Sequence, residues 1–289
     1  MQINLDTLTL KSGGHSDFES GACLLEAASY MAGEPWSDHP KCVSAVLGRM
    51  GRSLNDRLGS DDRQKLKVFL PSLLHTADDG QDDARRWMAA DWAVRVATPR
   101  LLDAAGLEKH AAALRALAPI TDEKSARAAR GVASAARDDA WIARNAARDN
   151  LRERLTEEFK KQGLAAAAAA AAAVDAAAAA AAAAAVDAVA VAAVDAAAVV
   201  AVAADADAVV AAAAAAAVAA DAAGLTAKDF QIGSPACWRF RDTLYSTVRK
   251  AVRKHLLTSK GTKWAEVRDL NNAEAIALFG RMINPNEKG

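Results

Sequence analysis

One uninterrupted tract, from Ala165 to Ala223, constrains the fold of this chain more than any other feature. It contains only three residue types, 42 Ala, 11 Val and 6 Asp. Ala has the highest helix propensity of all residues, and Val costs only about half a kcal/mol more per residue. The tract therefore predicts helix, and a single helix of that length would extend about 90 Å.

A β-solenoid is the alternative fold for this tract. Five of its valines, beginning at Val174, share a five-residue phase, and three of its Asp residues occupy the next position. Pentapeptide-repeat β-helices have this spacing, but they fill each face with bulky Leu or Phe, and the tract has neither. The other six Val and half of the Asp are also out of phase, so helix remains the first prediction.

Composition places the rest of the chain in the same class. Hydrophobic residues make up 52% of the sequence, but aromatic residues make up only 5%. Such a chain favours helices packed closely through small side chains over a β-sandwich or barrel. We predict an all-α protein with a helical head (1–120), a long charged helix (121–163), the Ala/Val/Asp tract (164–224) and a basic helical tail (225–289).

Helix-start residues recur through the head. Ser16 followed by Glu19 is typical of a capping box and predicts a helix over 17–33, ended by Gly33. Further helices are predicted to begin at Asp38 (with Pro40 in the first turn), Ser60 and Asp82, with Pro71 and Pro99 interrupting the last two, and a short helix is predicted over 107–117.

A long helix is predicted after Thr121, because this residue is a suitable cap and the two acids that follow it, Asp122 and Glu123, complement the positive end of a helix dipole. The helix should run to about residue 161. Trp141 and Ile142 interrupt its pattern of Ala and charged residues. A last helix with Trp264, Phe279 and Met282 is expected after Gly261.

Cysteine content and hydropathy indicate the compartment. Cys23, Cys42 and Cys237 are too few for a disulfide framework, which favours a reducing environment. The first residues do not have the pattern of a secretion signal, so we expect a cytoplasmic protein. Asp residues divide the Ala-rich tract into short apolar runs, and no membrane span is predicted.

Several segments resemble uncharacterised proteins of actinobacteria and their phages. These segments are NLDTLTL from Asn4, GEPWSDHPKC from Gly33, WMAADWAVR from Trp87 and AARDDAWIARNAARD from Ala135. The resemblance implies an actinobacterial or phage origin and carries no activity. The Ala-rich part of such proteins has regular Trp, Asp and Arg, whereas the tract here has no Trp and no Arg.

The head contains a candidate metal site. His15, Cys23, His39 and Cys42 are a set of two imidazoles and two thiols that could bind structural zinc in a tetrahedral geometry. Only His39 and Cys42 have a compact ligand spacing. Two alternatives remain open, namely that the cysteines are small buried hydrophobic residues, or that one of them forms a nucleophilic pair with a histidine.

The predicted tail helix, over about 236–257, contains a candidate nucleic-acid site. Arg249, Lys250, Arg253 and Lys254 form paired basic rows beside an apolar stripe. Phosphate groups are natural partners of such rows. A helix that packs by its apolar side and leaves the basic side in solvent is the simpler interpretation.

The sequence has no phosphate-binding Gly-rich loop, metalloprotease helix, nucleophile elbow or dinucleotide fingerprint, so we predict no enzyme activity and no cofactor apart from structural zinc. We expect a scaffold or interaction protein that associates with itself or with a host protein through small apolar surface. A nucleic-acid-associated protein that uses the tail helix is the alternative. Net charge is zero overall, but the tract is acidic and the tail is basic.

Overall fold

The computed structural model describes residues 3–161 and 261–286, and within these ranges the protein consists of helices without β-strands. This confirms the all-α prediction. The β-solenoid alternative has no support in these ranges, and the Ala-rich tract itself lies outside them. The helices are α1 (Leu24–Ala32), α2 (Ala45–Arg57), α3 (Ser60–Gln64), α4 (Leu70–Leu73), α5 (Asp82–Trp92), α6 (Thr98–Ala104), α7 (Glu108–Arg115), α8 (Glu123–Lys161) and α9 (Lys263–Ile283).

A non-helical lead-in, residues 3–22, crosses the first helices and is held there by side-chain amides. The Leu10 N–H donates to Gln64 Oε1 at 2.9 Å, and Gln64 Nε2 donates back to the Leu10 carbonyl at 3.0 Å. The fully buried Asn55 donates from Nδ2 to the Lys11 carbonyl at 2.9 Å. These amides satisfy backbone groups that a neighbouring strand would otherwise pair.

The predicted capping box at Ser16 and Glu19 is wrong, because α1 begins at Leu24 and not at residue 17. The segment before it closes into a turn in which the Ser20 N–H donates to Asp17 Oδ1 at 2.7 Å. Gly21 follows with a φ of 136°, a backbone conformation that no helix accommodates.

The capping box of α1 is formed instead by Cys23 and Glu26. The Glu26 N–H donates to Cys23 Sγ at 3.4 Å, and Glu26 Oε2 accepts from the Cys23 N–H at 2.7 Å. At the other end, Gly33 has a φ of 72° and its N–H donates to the Tyr30 carbonyl. The predicted end of the helix is therefore confirmed.

The second helix also begins later than predicted. Asp38 does not cap it, because the Glu34 carboxylate accepts the N–H groups of Lys41 and Cys42 at 2.6 and 2.8 Å and holds this stretch in a turn. Ser44 is the cap, and its hydroxyl accepts the Leu47 N–H.

Both prolines interrupt their helices as predicted. Pro71 lies in the first turn of α4, after a 3-10 segment over Lys65–Phe69. Pro99 lies in the first turn of α6, and the preceding turn widens into a π-helical segment, Ala93–Ala97. Proline has no N–H to continue the helical ladder, so at each site the hydrogen-bonding pattern changes while the backbone remains helical.

The last helix, α9, packs into the core of the head. Phe279 and Met282 are fully buried, and the Phe279 ring meets Phe69 edge-on with centroids 5.6 Å apart. Two glycines allow the close approach, since a Cβ on Gly280 would lie 2.8 Å from Phe69 and one on Gly51 would lie 3.4 Å from Phe279. The predicted tail segment (225–289) thus supplies a core helix to the head (1–120).

Arg85 ties α9 to α5. Its side chain is 0% exposed, and Nε and Nη2 donate to the carbonyls of Met282 and Ile283 at 2.8 and 3.0 Å. The same guanidinium forms a bidentate pair with Asp79 at 2.7 and 2.5 Å. Hydrogen bonds from Arg85 lower the pKa of Asp79, so the carboxylate is ionised at neutral pH. Arg85 therefore caps the final carbonyls of α9 while its own charge is compensated.

Candidate protein-interaction surface

The long helix α8 is attached to the head through alanine. Ala129, Ala136 and Ala140 are buried and lie on one face, since they are spaced by seven and four residues. Helix α8 packs against α7, in which Ala111 and Leu114 are buried, and His110 Nε2 of α7 lies 2.6 Å from Asp139 Oδ2 of α8. Burying alanine removes little apolar area from water, so this contact places α8 close to the head but stabilises that arrangement only slightly.

The two largest apolar residues at the centre of α8 are exposed. Trp141 is 44% exposed and Ile142 is 68% exposed. The Arg144 guanidinium lies over the indole at 4.3 Å, a cation–π contact that does not cover Ile142. An adjacent Trp and Ile in solvent are a greater apolar exposure than the single residues that are normal on protein surfaces.

The polar residues around this pair are arranged at helical spacing. Asp138 lies one turn before the pair and Asn145 one turn after it, and both are exposed. Ser134 and Asp149 lie one further turn away in each direction on the same side. We call these six residues the α8 stripe (Ser134, Asp138, Trp141, Ile142, Asn145 and Asp149).

Glu26 organises the first half of the predicted metal site. Its buried carboxylate accepts from the N–H and Nδ1 of His15, at 2.7 and 2.9 Å, and from the Cys23 N–H. Burial alone would raise the Glu26 pKa, but the hydrogen bonds from Cys23 and His15 outweigh it and lower the pKa. The structure thus brings His15 and Cys23 to one ionised carboxylate.

The other two predicted ligands have different neighbours. His39 is exposed, and its Nδ1 lies 2.6 Å from Asp38 Oδ1. Cys42 lies in the turn held by Glu34. In the part of the chain that the structure describes, no group of three or more His, Cys, Asp or Glu side chains is arranged to hold a metal ion. The zinc set remains a prediction from the sequence.

Both thiols in the described residues, Cys23 and Cys42, are in the protonated, unreactive form at neutral pH. Burial raises the pKa of Cys23 to about 12. Burial and the nearby Glu34 charge raise the pKa of Cys42 to about 11. A reactive cysteine needs a lowered pKa, so these values weigh against the nucleophilic Cys–His pair.

Two further predictions concern other parts of the chain. The basic residues Arg249, Lys250, Arg253 and Lys254 lie outside the described residues, as does Cys237. None of the described helices combines the length and apolar character that crossing a bilayer requires.

Sequence reasoning found Trp141 and Ile142 but missed two roles. It did not indicate that both side chains would face solvent, because the pattern of α8 has no single dominant apolar side. It also missed Glu26 as the acceptor for His15. The Cys23-x-x-Glu26 spacing is the capping-box signal that could have found it.

Comparison with known proteins gives no match: no family model, no curated protein sequence and no solved structure matches the chain.

Proposed function

We propose that this protein is a non-enzymatic, cytoplasmic helical scaffold that associates with a second copy of itself through the α8 stripe. The observation that carries the proposal is the exposure of Trp141 and Ile142 at the centre of a 39-residue helix. The removal of apolar side chains of this size from water favours association with a partner.

The order of residues in the stripe favours a second copy as the partner. In an antiparallel helix pair centred between Trp141 and Ile142, each of these side chains packs on its own equivalent. Asp138, which pairs with Arg137 within the helix, then faces Asn145 of the second copy, and Asp149 faces Ser134, so each carboxylate lies opposite a side chain that can donate a further hydrogen bond. A surface that is complementary to itself in this way is what a two-fold symmetric interface requires.

The first test is sedimentation velocity of the full-length protein over a range of concentrations. We expect a reversible dimer that becomes monomeric in the double variant Trp141→Ser, Ile142→Ser. The control is Val68→Ser with Leu270→Ser, which removes two apolar side chains that are 69% and 54% exposed elsewhere. A monomeric parent, or a dimer unaffected by the stripe variant, would contradict the proposal.

A cysteine cross-link tests the antiparallel arrangement. In a Cys237→Ser background, Ile142→Cys should form an intermolecular disulfide on mild oxidation, because the two Ile142 positions are adjacent across the symmetry axis. Asp149→Cys is the matched control and should not, since Asp149 faces Ser134 in this arrangement. Equal cross-linking at both positions would indicate a parallel pair instead.

A further inference from the structure

A groove of about 860 Å³ lies between α2 and α5, and Met282 of α9 contributes to its lining. Apolar side chains form much of the lining: Val46, Met50, Trp87 and Met282, with three alanines (Ala45, Ala89 and Ala90). Val46 and Trp87 are only half-buried. The groove is separate from the α8 stripe.

The positive charges of the groove come mainly from α2. Arg49 is exposed, and no hydrogen bond or ion pair joins it to another residue of the described ranges. Arg52 donates from Nη1 to the Asp38 carbonyl at 2.8 Å, a neutral acceptor that leaves its charge uncompensated. The α2 wall therefore presents two cations and no acid.

The acids of the α5 wall are already paired. Asp83 forms an ion pair with Arg86 at 2.6 Å. Asp82 lies 3.1 Å from Arg85, whose single charge it shares with Asp79, and it also accepts a hydrogen bond from the Ser44 hydroxyl. The lining therefore has three arginines against two aspartates, and its two cations without a carboxylate partner in the described residues, Arg49 and Arg52, lie along one wall.

We propose that this groove binds an acidic amphipathic helix of a second protein. The apolar lining between two helices suits the apolar side of a third helix, which would insert residues spaced at i, i+3, i+4 and i+7. Val46, Trp87 and Ala90 are the partly exposed apolar residues that would contact it, and the buried Met50 and Met282 form a flexible layer beneath them. Acidic residues along one edge of the bound helix would meet Arg49 and Arg52, which fixes its orientation and excludes basic partners.

The test uses full-length protein and a displayed library of randomised 16-residue helical peptides. We expect the selected peptides to combine an apolar i, i+3, i+4, i+7 stripe with a net negative charge. Their affinity should fall about tenfold or more for Arg49→Glu and for Trp87→Ala. Arg130→Glu changes the same residue type at an exposed position on α8 and should leave the affinity unchanged.

Three outcomes would overturn the proposal. One is the selection of basic or neutral peptides, and another is binding that is insensitive to both groove variants. The third is self-association that Arg49→Glu abolishes and the α8 stripe variant does not, which would make a second copy the occupant. The peptides are also tested on the Trp141→Ser, Ile142→Ser variant. Unchanged binding there shows that the groove acts independently of the α8 stripe, so the two proposals can fail separately.

Discussion

The head and α8 treat apolar and polar side chains in opposite ways. The core of the head fully buries Leu side chains such as Leu47 and Leu70 together with Phe279 and Met282 of α9, and the buried Arg85 and Asn55 donate hydrogen bonds to backbone carbonyls. Helix α8 buries alanine and leaves Trp141 and Ile142 in solvent. Large apolar side chains thus form the interior of the head, whereas the described part of α8 contacts the head through small ones and exposes an adjacent Trp and Ile.

Apolar content alone therefore does not locate the core of this chain. Alanine allows helices to approach closely but removes little area from water, so an alanine contact sets geometry more than stability. Substitutions in the two regions should accordingly change the free energy of unfolding by different amounts and, in one case, in opposite directions.

The largest effect is expected at Arg85. Arg85→Met leaves the Asp79 carboxylate without its cationic partner and the last carbonyls of α9 without their donor, and should lower the free energy of unfolding by about 3–5 kcal/mol. Urea denaturation of the full-length protein measures this loss. Arg86→Met is the matched control, because Arg86 is exposed and its surface pair with Asp83 contributes about 1 kcal/mol at most. Similar losses in both variants would remove the distinction between a closed head and an open surface.

Glu26→Gln should cost about 2–3 kcal/mol at neutral pH, since the amide cannot accept all the hydrogen bonds from His15 and Cys23. The Glu26 pKa is lowered from 4.5 on folding. Its contribution is therefore complete above pH 4.5 and is lost as the pH falls below that value. Denaturation at a series of pH values should show the two proteins converging in stability below pH 4.5, and a constant difference would contradict this role.

Gly51→Ala tests the close packing of the head. A Cβ at this position would lie 2.9 Å from Leu25 Cδ2 and 3.3 Å from Leu24 Cδ2. Overpacking costs about 1–3 kcal/mol and the gain in helix propensity returns under 1, so we expect a net loss of about 1–2 kcal/mol in thermal unfolding.

Gly131→Ala should have the smallest effect and the opposite sign. A Cβ there meets no atom within 4 Å, and the residue is exposed within α8. Replacing Gly by Ala in a helix interior stabilises it by about 0.5–1 kcal/mol. An increase in helical content by circular dichroism, without loss of the head's unfolding transition, would confirm that α8 is limited by propensity and not by packing.

Where local chemistry is decisive, the sequence was sufficient. The sequence predicts the start of α8 to within two residues, although the cap is Asp122, which accepts the Ser125 N–H at 2.7 Å, and not Thr121; the described residues extend to Lys161, where the helix is predicted to end. Pro71 and Pro99 interrupt their helices for the equally local reason that proline lacks an N–H.

Where several residues could serve the same role, the sequence was not sufficient. Ser16 and Asp38 have the chemistry of caps, but Gly21 and Glu34 shape the backbone that follows them and move each helix start to a later residue. Nor does any local pattern distinguish Arg85 from its neighbour Arg86. That difference comes from α9, almost two hundred residues away along the chain.

The Arg85 contact also has a consequence for synthesis on the ribosome. The Met282 carbonyl that it binds lies 197 residues further along the chain. At about 5–20 residues per second, roughly 10–40 seconds separate the appearance of the arginine from that of its acceptor. During this interval the nascent head lacks α9, and the apolar side chains that will contact Phe279 and Met282 are exposed to solvent, where a chaperone could bind them.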